Sequence, residues 1–161
     1  MSSNQSGVQV VGPAASASVA RLLRAPVAVE CGFPSPSQDW YEGPIDLTAE
    51  LVKDSAATFI VRVTGHSMEG AGISDGDELL VDRSLAPHDG DVVVAVLDGE
   101  LTVKRLAVLP DRVLLRAENP AYPDIPVPEL SDLAVWGVAT YCIHHLKPGK
   151  LHQMQDRRRA G

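Results

Sequence analysis

The chain has 161 residues, the size of one domain, and 45% of them are hydrophobic, enough to build a core. Its 21 Asp and Glu outweigh 14 Lys and Arg, for a net charge of −7. That balance argues against a general polyanion binder, because such proteins neutralise phosphates with lysine and arginine. The longest apolar run, Val92–Leu97, is far shorter than the ~20 residues of a membrane-spanning helix.

The first 15 residues, rich in Ser, Gly and Ala, offer little to bury and are expected to be mobile. Nothing in them reads as a cationic start followed by an apolar stretch, so no secretion signal is expected. Val19, Leu22 and Leu23 sit at helical spacing, which predicts a short helix over Ser16–Arg24 that stops near Pro26. Val27–Cys31 is a small extended apolar piece, Phe33–Pro44 with its prolines is a loop, and Leu47–Lys53 is a short helix. From Thr58 onward the pattern is β. Strands are predicted at Thr58–Val63, Glu78–Asp82, Asp91–Leu97, Glu100–Leu106, Val113–Ala117 and Leu133–Ile143. Asp98-Gly99 is a two-residue hairpin signal, since glycine accepts the positive φ such a turn requires. Gly76-Asp77 and Gly90-Asp91 each open a strand after a turn. Strands this close, without helices between them, predict a curled antiparallel sheet. The polar tail from Lys147 is expected to fray.

Charge divides along the chain. Residues 1–31 carry +1, residues 32–150 carry −10 and residues 151–161 carry +2.

Two residues together suggest chemistry. Ser67 follows Gly65-His66 in a loop, where serine is ordinarily a turn residue. Lys104 lies inside a predicted strand, where alternation places it on one face with Thr102 and Leu106, opposite Leu101, Val103 and Arg105. A serine becomes a nucleophile when a base takes its proton, and a lysine serves when burial keeps it neutral near pH 7. A strand in a valine-rich sheet supplies such burial. The other polar side chains read more plainly. His66 is expected to be an exposed loop residue, and Asp77 and Asp91 to shape turns. His144, His145 and His152 lack the spacing of a metal site. Cys142 is expected in the core, Arg157–Arg159 in a solvated tail, and Cys31 has no neighbouring base to make it a nucleophile. Two cysteines make no disulfide framework, which favours a reducing cytoplasm.

Gly65-His66-Ser67-Met68, Gly72-Ile73-Ser74-Asp75-Gly76-Asp77, Leu80-Val81-Asp82, Gly90-Asp91-Val92-Val93 and Asp98-Gly99-Glu100-Leu101-Thr102-Val103-Lys104-Arg105 follow one another in an order that resembles the LexA/UmuD family of self-cleaving Ser–Lys peptidases. Cys31-Gly32-Phe33-Pro34-Ser35-Pro36 is similar to the UmuD-like branch, which cleaves at a Cys–Gly bond. The resemblance covers about residues 28–145. It implies a mainly β fold, with curled antiparallel sheets of the LexA/UmuD C-terminal peptidase type and a flexible N-terminal arm. It divides the chain into a removable arm (1–31), a Ser–Lys peptidase-like domain (32–146) and a tail (147–161). It makes Ser67 the nucleophile, Lys104 the general base and Cys31–Gly32 the scissile bond. The backbone N–H groups of Ser67 and Met68 are then the oxyanion candidates. No cofactor or metal is implied.

On this resemblance the protein belongs to the SOS mutagenesis response. A RecA–single-stranded-DNA filament promotes self-cleavage, and the shortened homodimer becomes a subunit of a UmuC-like translesion polymerase. No direct sequence-specific nucleic-acid contact and no membrane are implied. Three other classes are discriminated by features of the chain. A self-cleaving repressor would need a DNA-binding domain that residues 1–31, with Pro13 and Pro26, do not accommodate, so a separate chain would have to supply it. A signal peptidase would need an anchor. A non-catalytic interaction module of the same fold has no need of Ser67, Lys104 and Cys31-Gly32 together.

Overall fold

The computed structural model describes residues 8–13, 21–23, 44–127 and 134–147. Ten strands are found among them: β1 (Val8–Pro13), β2 (Arg21–Leu23), β3 (Pro44–Asp46), β4 (Thr58–Val63), β5 (Glu78–Asp82), β6 (Val92–Leu97), β7 (Glu100–Val108), β8 (Val113–Arg116), β9 (Ile125–Val127) and β10 (Val135–Ile143). A helix, α1 (Leu47–Leu51), and a 3-10 turn at Glu69–Ala71 complete the elements. The Asp46 carboxylate starts α1 by accepting from the N–H groups of Thr48 (2.9 Å) and Ala49 (3.2 Å).

Eight strands form one antiparallel sheet in the order β1-β4-β5-β10-β6-β7-β8-β9, and β2 pairs with β3 separately. Insertion of β10 between β5 and β6 makes the C-terminal strand a bridge between two halves of the sheet. Two apolar cores form, and both draw on strands β6 and β7. Val61, Val63, Met68, Ile73, Leu79, Val81, Val94 and Val103 pack into one. Val93, Ala95, Leu106, Val113, Leu115, Val127 and Val138 form the other. Neighbouring residues of β6 therefore face different cores: Val94 the first, Val93 and Ala95 the second. A strand buried on both faces has no polar side to show, which is why Val92–Leu97 is unbroken apolar sequence. The sheet is antiparallel throughout, as expected. The β6–β7 hairpin turns on Asp98 (φ 51°) and Gly99 (φ 80°), both left-handed, as the two-residue turn requires.

Three expectations are corrected. Residues 8–13, expected to be mobile, form β1 and pair with β4 from Val8↔Val63 to Pro13↔Phe59. A strand edge offers backbone hydrogen bonds, and Val8, Val10 and Val11 are β-branched residues that suit a strand, so this part of the segment finds order there. Of the segment predicted as a helix, residues 21–23 form β2 against β3, with Arg21↔Asp46 and Leu23↔Pro44. A helix of nine residues has little intrinsic stability, and a strand partner outcompetes it. Cys142 is exposed instead of buried, because β6 pairs with β10 only between Val135 and Val138, and beyond a register shift between Ala139 and Tyr141 the end of β10 has β5 alone beside it. The expectations for Val27–Cys31, residues 33–43, His152, the arginines at 157–159 and the tail beyond Lys147 lie outside the described residues.

Candidate active site

Ser67 sits in the loop between β4 and β5. The base of that loop is closed by backbone bonds from Val63 N–H to Asp77 O and from Gly76 N–H to Val63 O, each 2.8 Å. Gly65 N–H donates to the Asp75 carboxylate (2.7 Å), and Ser74 N–H donates to that of Asp77 (2.7 Å). Met68 plugs into the first core with 2% exposure, and its carbonyl accepts from Ala71 (3.0 Å) and Ile73 (3.2 Å). Anchored beside it, Ser67 is only 3% exposed.

Lys104 approaches from β7, 37 residues away in sequence, and is 5% exposed. Its Nζ donates to Ser67 Oγ at 3.1 Å, Thr102 Oγ1 at 3.0 Å and the Val103 carbonyl at 3.0 Å. Among the described residues no carboxylate forms an ion pair with it. Burial therefore disfavours its charged form with no opposing charge nearby, and its pKa is drawn below the ordinary 10.5. The arrangement joins a buried hydroxyl to an amine that is easily neutralised.

A second loop grips the Ser67 turn from the other side. After β8, Glu118 N–H donates to Ser67 O (2.8 Å), while Gly70 N–H donates to Glu118 O (2.7 Å). A Cβ on Gly70 would stand 2.5 Å from that Glu118 oxygen, so the approach requires glycine. Asn119 Nδ2 donates to His66 O (2.9 Å). Arg105, next to Lys104 on β7, forms an ion pair with Glu118 and donates to Gly90 O (2.7 Å).

Of the residues singled out from sequence, Ser67, Met68 and Lys104 come together; Cys31 and Gly32 lie outside the described residues. His66 is exposed, with Nδ1 2.5 Å from Glu69 Oε1. Asp91 shapes its turn by accepting from His88 N–H (2.8 Å). Asp77 does the same at Ser74, and is also 2.7 Å from His144 Nδ1. Although the Cys142 residue is exposed, its Sγ lies 3.5 Å from Asp77 Oδ2, and partial desolvation there together with the carboxylate pushes the thiol up to about 11. No cluster of three or more His, Cys, Asp or Glu among the described residues is placed to hold a metal. A cleft of about 540 Å³, lined by Thr58, Asp82, Leu85, His88, Val138 and Tyr141, lies elsewhere and includes neither Ser67 nor Lys104. None of the helices among the described residues is long and apolar enough to cross a membrane.

Sequence reasoning missed the contributions of Arg105, Glu118 and Asn119. Thr102 had a signal, since alternation put it on the face of Lys104. Asn119 had none, because its contact joins two loops 53 residues apart.

A family model described as Peptidase S24-like matches residues 24–140. Protein SamA of Salmonella typhimurium is 47% identical over 113 residues, covering 70% of this chain and 78% of SamA. Protein ImpA of Escherichia coli is 40% identical over 119 residues, covering 73% of this chain and 80% of ImpA. Protein MucA of Escherichia coli is also 40% identical over 119 residues, covering 71% of this chain and 79% of MucA.

Proposed function

The chain belongs to the Peptidase S24-like family, and on that footing we propose that it cleaves its own backbone once, between Cys31 and Gly32, using Ser67 as nucleophile and Lys104 as general base. The observation that carries this reading is the 3.1 Å contact between two buried groups, Lys104 Nζ and Ser67 Oγ.

A neutral lysine amine has two N–H bonds and one lone pair. Thr102 Oγ1 and the Val103 carbonyl accept the two N–H bonds, which turns the lone pair towards Ser67. The Ser67 hydroxyl then gives its proton to Nζ as Oγ bonds to the Cys31 carbonyl carbon. The carbonyl π pair moves to oxygen, where N–H groups at the Ser67 turn receive it. Collapse breaks the Cys31–Gly32 C–N bond, and the Lys104 proton goes to the departing Gly32 nitrogen. Water next attacks the Ser67 ester with neutral Lys104 again as base, freeing Ser67 and leaving a carboxylate on Cys31. The products are residues 1–31 and a chain beginning at Gly32.

The wider role rests on the resemblance to UmuD-like proteins. In it, a RecA–single-stranded-DNA filament promotes the cleavage in the cytoplasm, and the shortened homodimer serves as a subunit of a UmuC-like translesion polymerase. The partition of charge supports an indirect link to DNA, since loss of residues 1–31 leaves a product of net −8.

Purified protein is incubated at about pH 10, where more lysine is neutral, and separately with RecA, single-stranded DNA and a nucleotide. Mass spectrometry should find a new N-terminus at Gly32, absent in Ser67→Ala and Lys104→Ala. Cleavage that persists in both variants would remove the dyad from the mechanism.

A further inference from the structure

We propose that Asn119 is a positioning residue of the cleavage reaction: its side-chain amide fixes the His66 carbonyl and thereby aims the Ser67 N–H at the oxygen that becomes negative. The proposal builds on the self-cleavage reading above and assigns a task to a loop outside the Ser67–Lys104 pair.

A peptide unit is planar and, when trans, its C=O and the next N–H point in opposite directions. No cis bond occurs among the described residues. His66 O is therefore the handle that orients Ser67 N–H, and Ser67 O is the handle that orients Met68 N–H. Both handles are held from the same loop. Asn119 Nδ2 donates to His66 O at 2.9 Å, and Glu118 N–H donates to Ser67 O at 2.8 Å. The N–H groups of Ser67 and Met68 are thus turned away from this loop.

Those two N–H groups donate to no acceptor among the described residues, although Ser67 is 3% and Met68 2% exposed. A buried N–H without a partner is rare, because leaving it unpaired is costly. A pair of them beside a nucleophile is the disposition of an oxyanion site, in which the donors wait for charge that develops during reaction.

Asn119 is itself held in place. Its Oδ1 accepts from Ala121 N–H at 3.0 Å, which sets the amide so that Nδ2, the donor end, faces His66. Its carbonyl accepts from Tyr122 N–H at 3.0 Å. Glu118 is tied by its ion pair to Arg105, the neighbour of Lys104 on β7. One strand therefore carries the base and, through Arg105, also steadies the loop that orients the nucleophile's turn.

The test uses the full chain with Asn119→Leu and Asn119→Ala, which remove the donor without adding charge. Self-cleavage is followed across pH, and thermal unfolding is measured on each protein. The limiting rate should fall about tenfold to a hundredfold, with the midpoint of the pH profile unmoved and unfolding close to the parent. A second readout is the affinity for a peptide boronate, acetyl-Ala-Val-Glu-boroalanine. Its boron takes the Ser67 Oγ electron pair while the hydroxyl proton passes to Lys104, giving a tetrahedral anion. The variants should bind it about tenfold or more weakly, and Ser67→Ala should not form the adduct.

Limiting rates within threefold of the parent would overturn the assignment. So would a rate loss that tracks a fall in the unfolding midpoint, or one that comes wholly from a displaced pH midpoint. If the parent binds the boronate but never cleaves itself, the cleavage reading fails and boronate affinity alone decides on Asn119: weaker binding by the variants supports it, equal binding overturns it. A parent that binds no boronate overturns it as well.

Discussion

Thr102 Oγ1 stands 3.0 Å from Lys104 Nζ, two residues along the same strand and on the same face. The contact holds the amine against Ser67 and also favours its charged form, because an oxygen acceptor stabilises an ammonium more than an amine. Thr102→Val keeps the shape and removes the acceptor. Two effects should separate in the pH profile of self-cleavage. The midpoint should move to lower pH, since the ammonium loses support. The limiting rate should fall, by roughly threefold to tenfold, because Nζ is less well aimed. A midpoint that moves to higher pH would contradict the role given to Thr102.

The parent's own profile follows from the environment of Lys104. Burial draws its pKa below 10.5, so the fraction of neutral amine grows with pH and then saturates. The rate of self-cleavage should climb by about tenfold per pH unit below that pKa and level off before pH 10.5. A rate still rising without curvature beyond pH 10.5 would mean that the titrating group is an ordinary, exposed lysine.

The same burial sets a stability dependence whose sign is fixed. Lys104 binds its proton less tightly folded than unfolded, so between its lowered pKa and 10.5 the unfolded chain holds more protons. Stability from this group therefore rises with pH through that window and is diminished at lower pH, where a charge must stay buried. Lys104→Met replaces the amine with an apolar group of similar length. It should unfold at a higher temperature than the parent near pH 7 and lose the alkaline gain. The experiment is a series of thermal unfolding curves between pH 6 and pH 10.5, in which equal slopes for the two proteins would refute the argument.

Much of the fold was legible because its signals are local. Thr58–Val63 and Glu78–Asp82 are strands with the boundaries that their β-branched and apolar residues suggest. Asp98-Gly99 encodes its turn in the backbone freedom of two residues. Lys104 facing Thr102 follows from alternation alone. What was not legible depends on partners far along the chain. Residues 8–13 are ordered by an edge that only the folded sheet provides. Cys142 is exposed because β10 outlasts its pairing with β6 and shifts register, a property of the neighbouring strands and not of its own apolar sequence. The grip of Asn119 on His66 joins two loops that carry no periodicity.

The edge occupied by β1 gives a separate prediction. Val63 N–H and C=O both bond towards the β5 side, to Asp77 and Gly76. In an antiparallel strand the two backbone groups of a residue point the same way and alternate from residue to residue. Ile60 and Arg62 therefore turn their N–H groups towards β1, where they pair with Gly12 and Gln9. Gln9→Pro removes a backbone donor at one of these pairs, and proline is tolerated in strands only where no such donor is needed. Amide hydrogen exchange at Ile60 and Arg62 should accelerate by about tenfold or more. The amides of Val93 and Val94, on β6 in the interior of the sheet, should stay as protected as in the parent. The same two amides should open when residues 1–31 are cut away and removed. Unchanged exchange at Ile60 and Arg62 in the proline variant would show that β1 does not protect the edge in solution, and would leave β4 as the outer strand of the sheet.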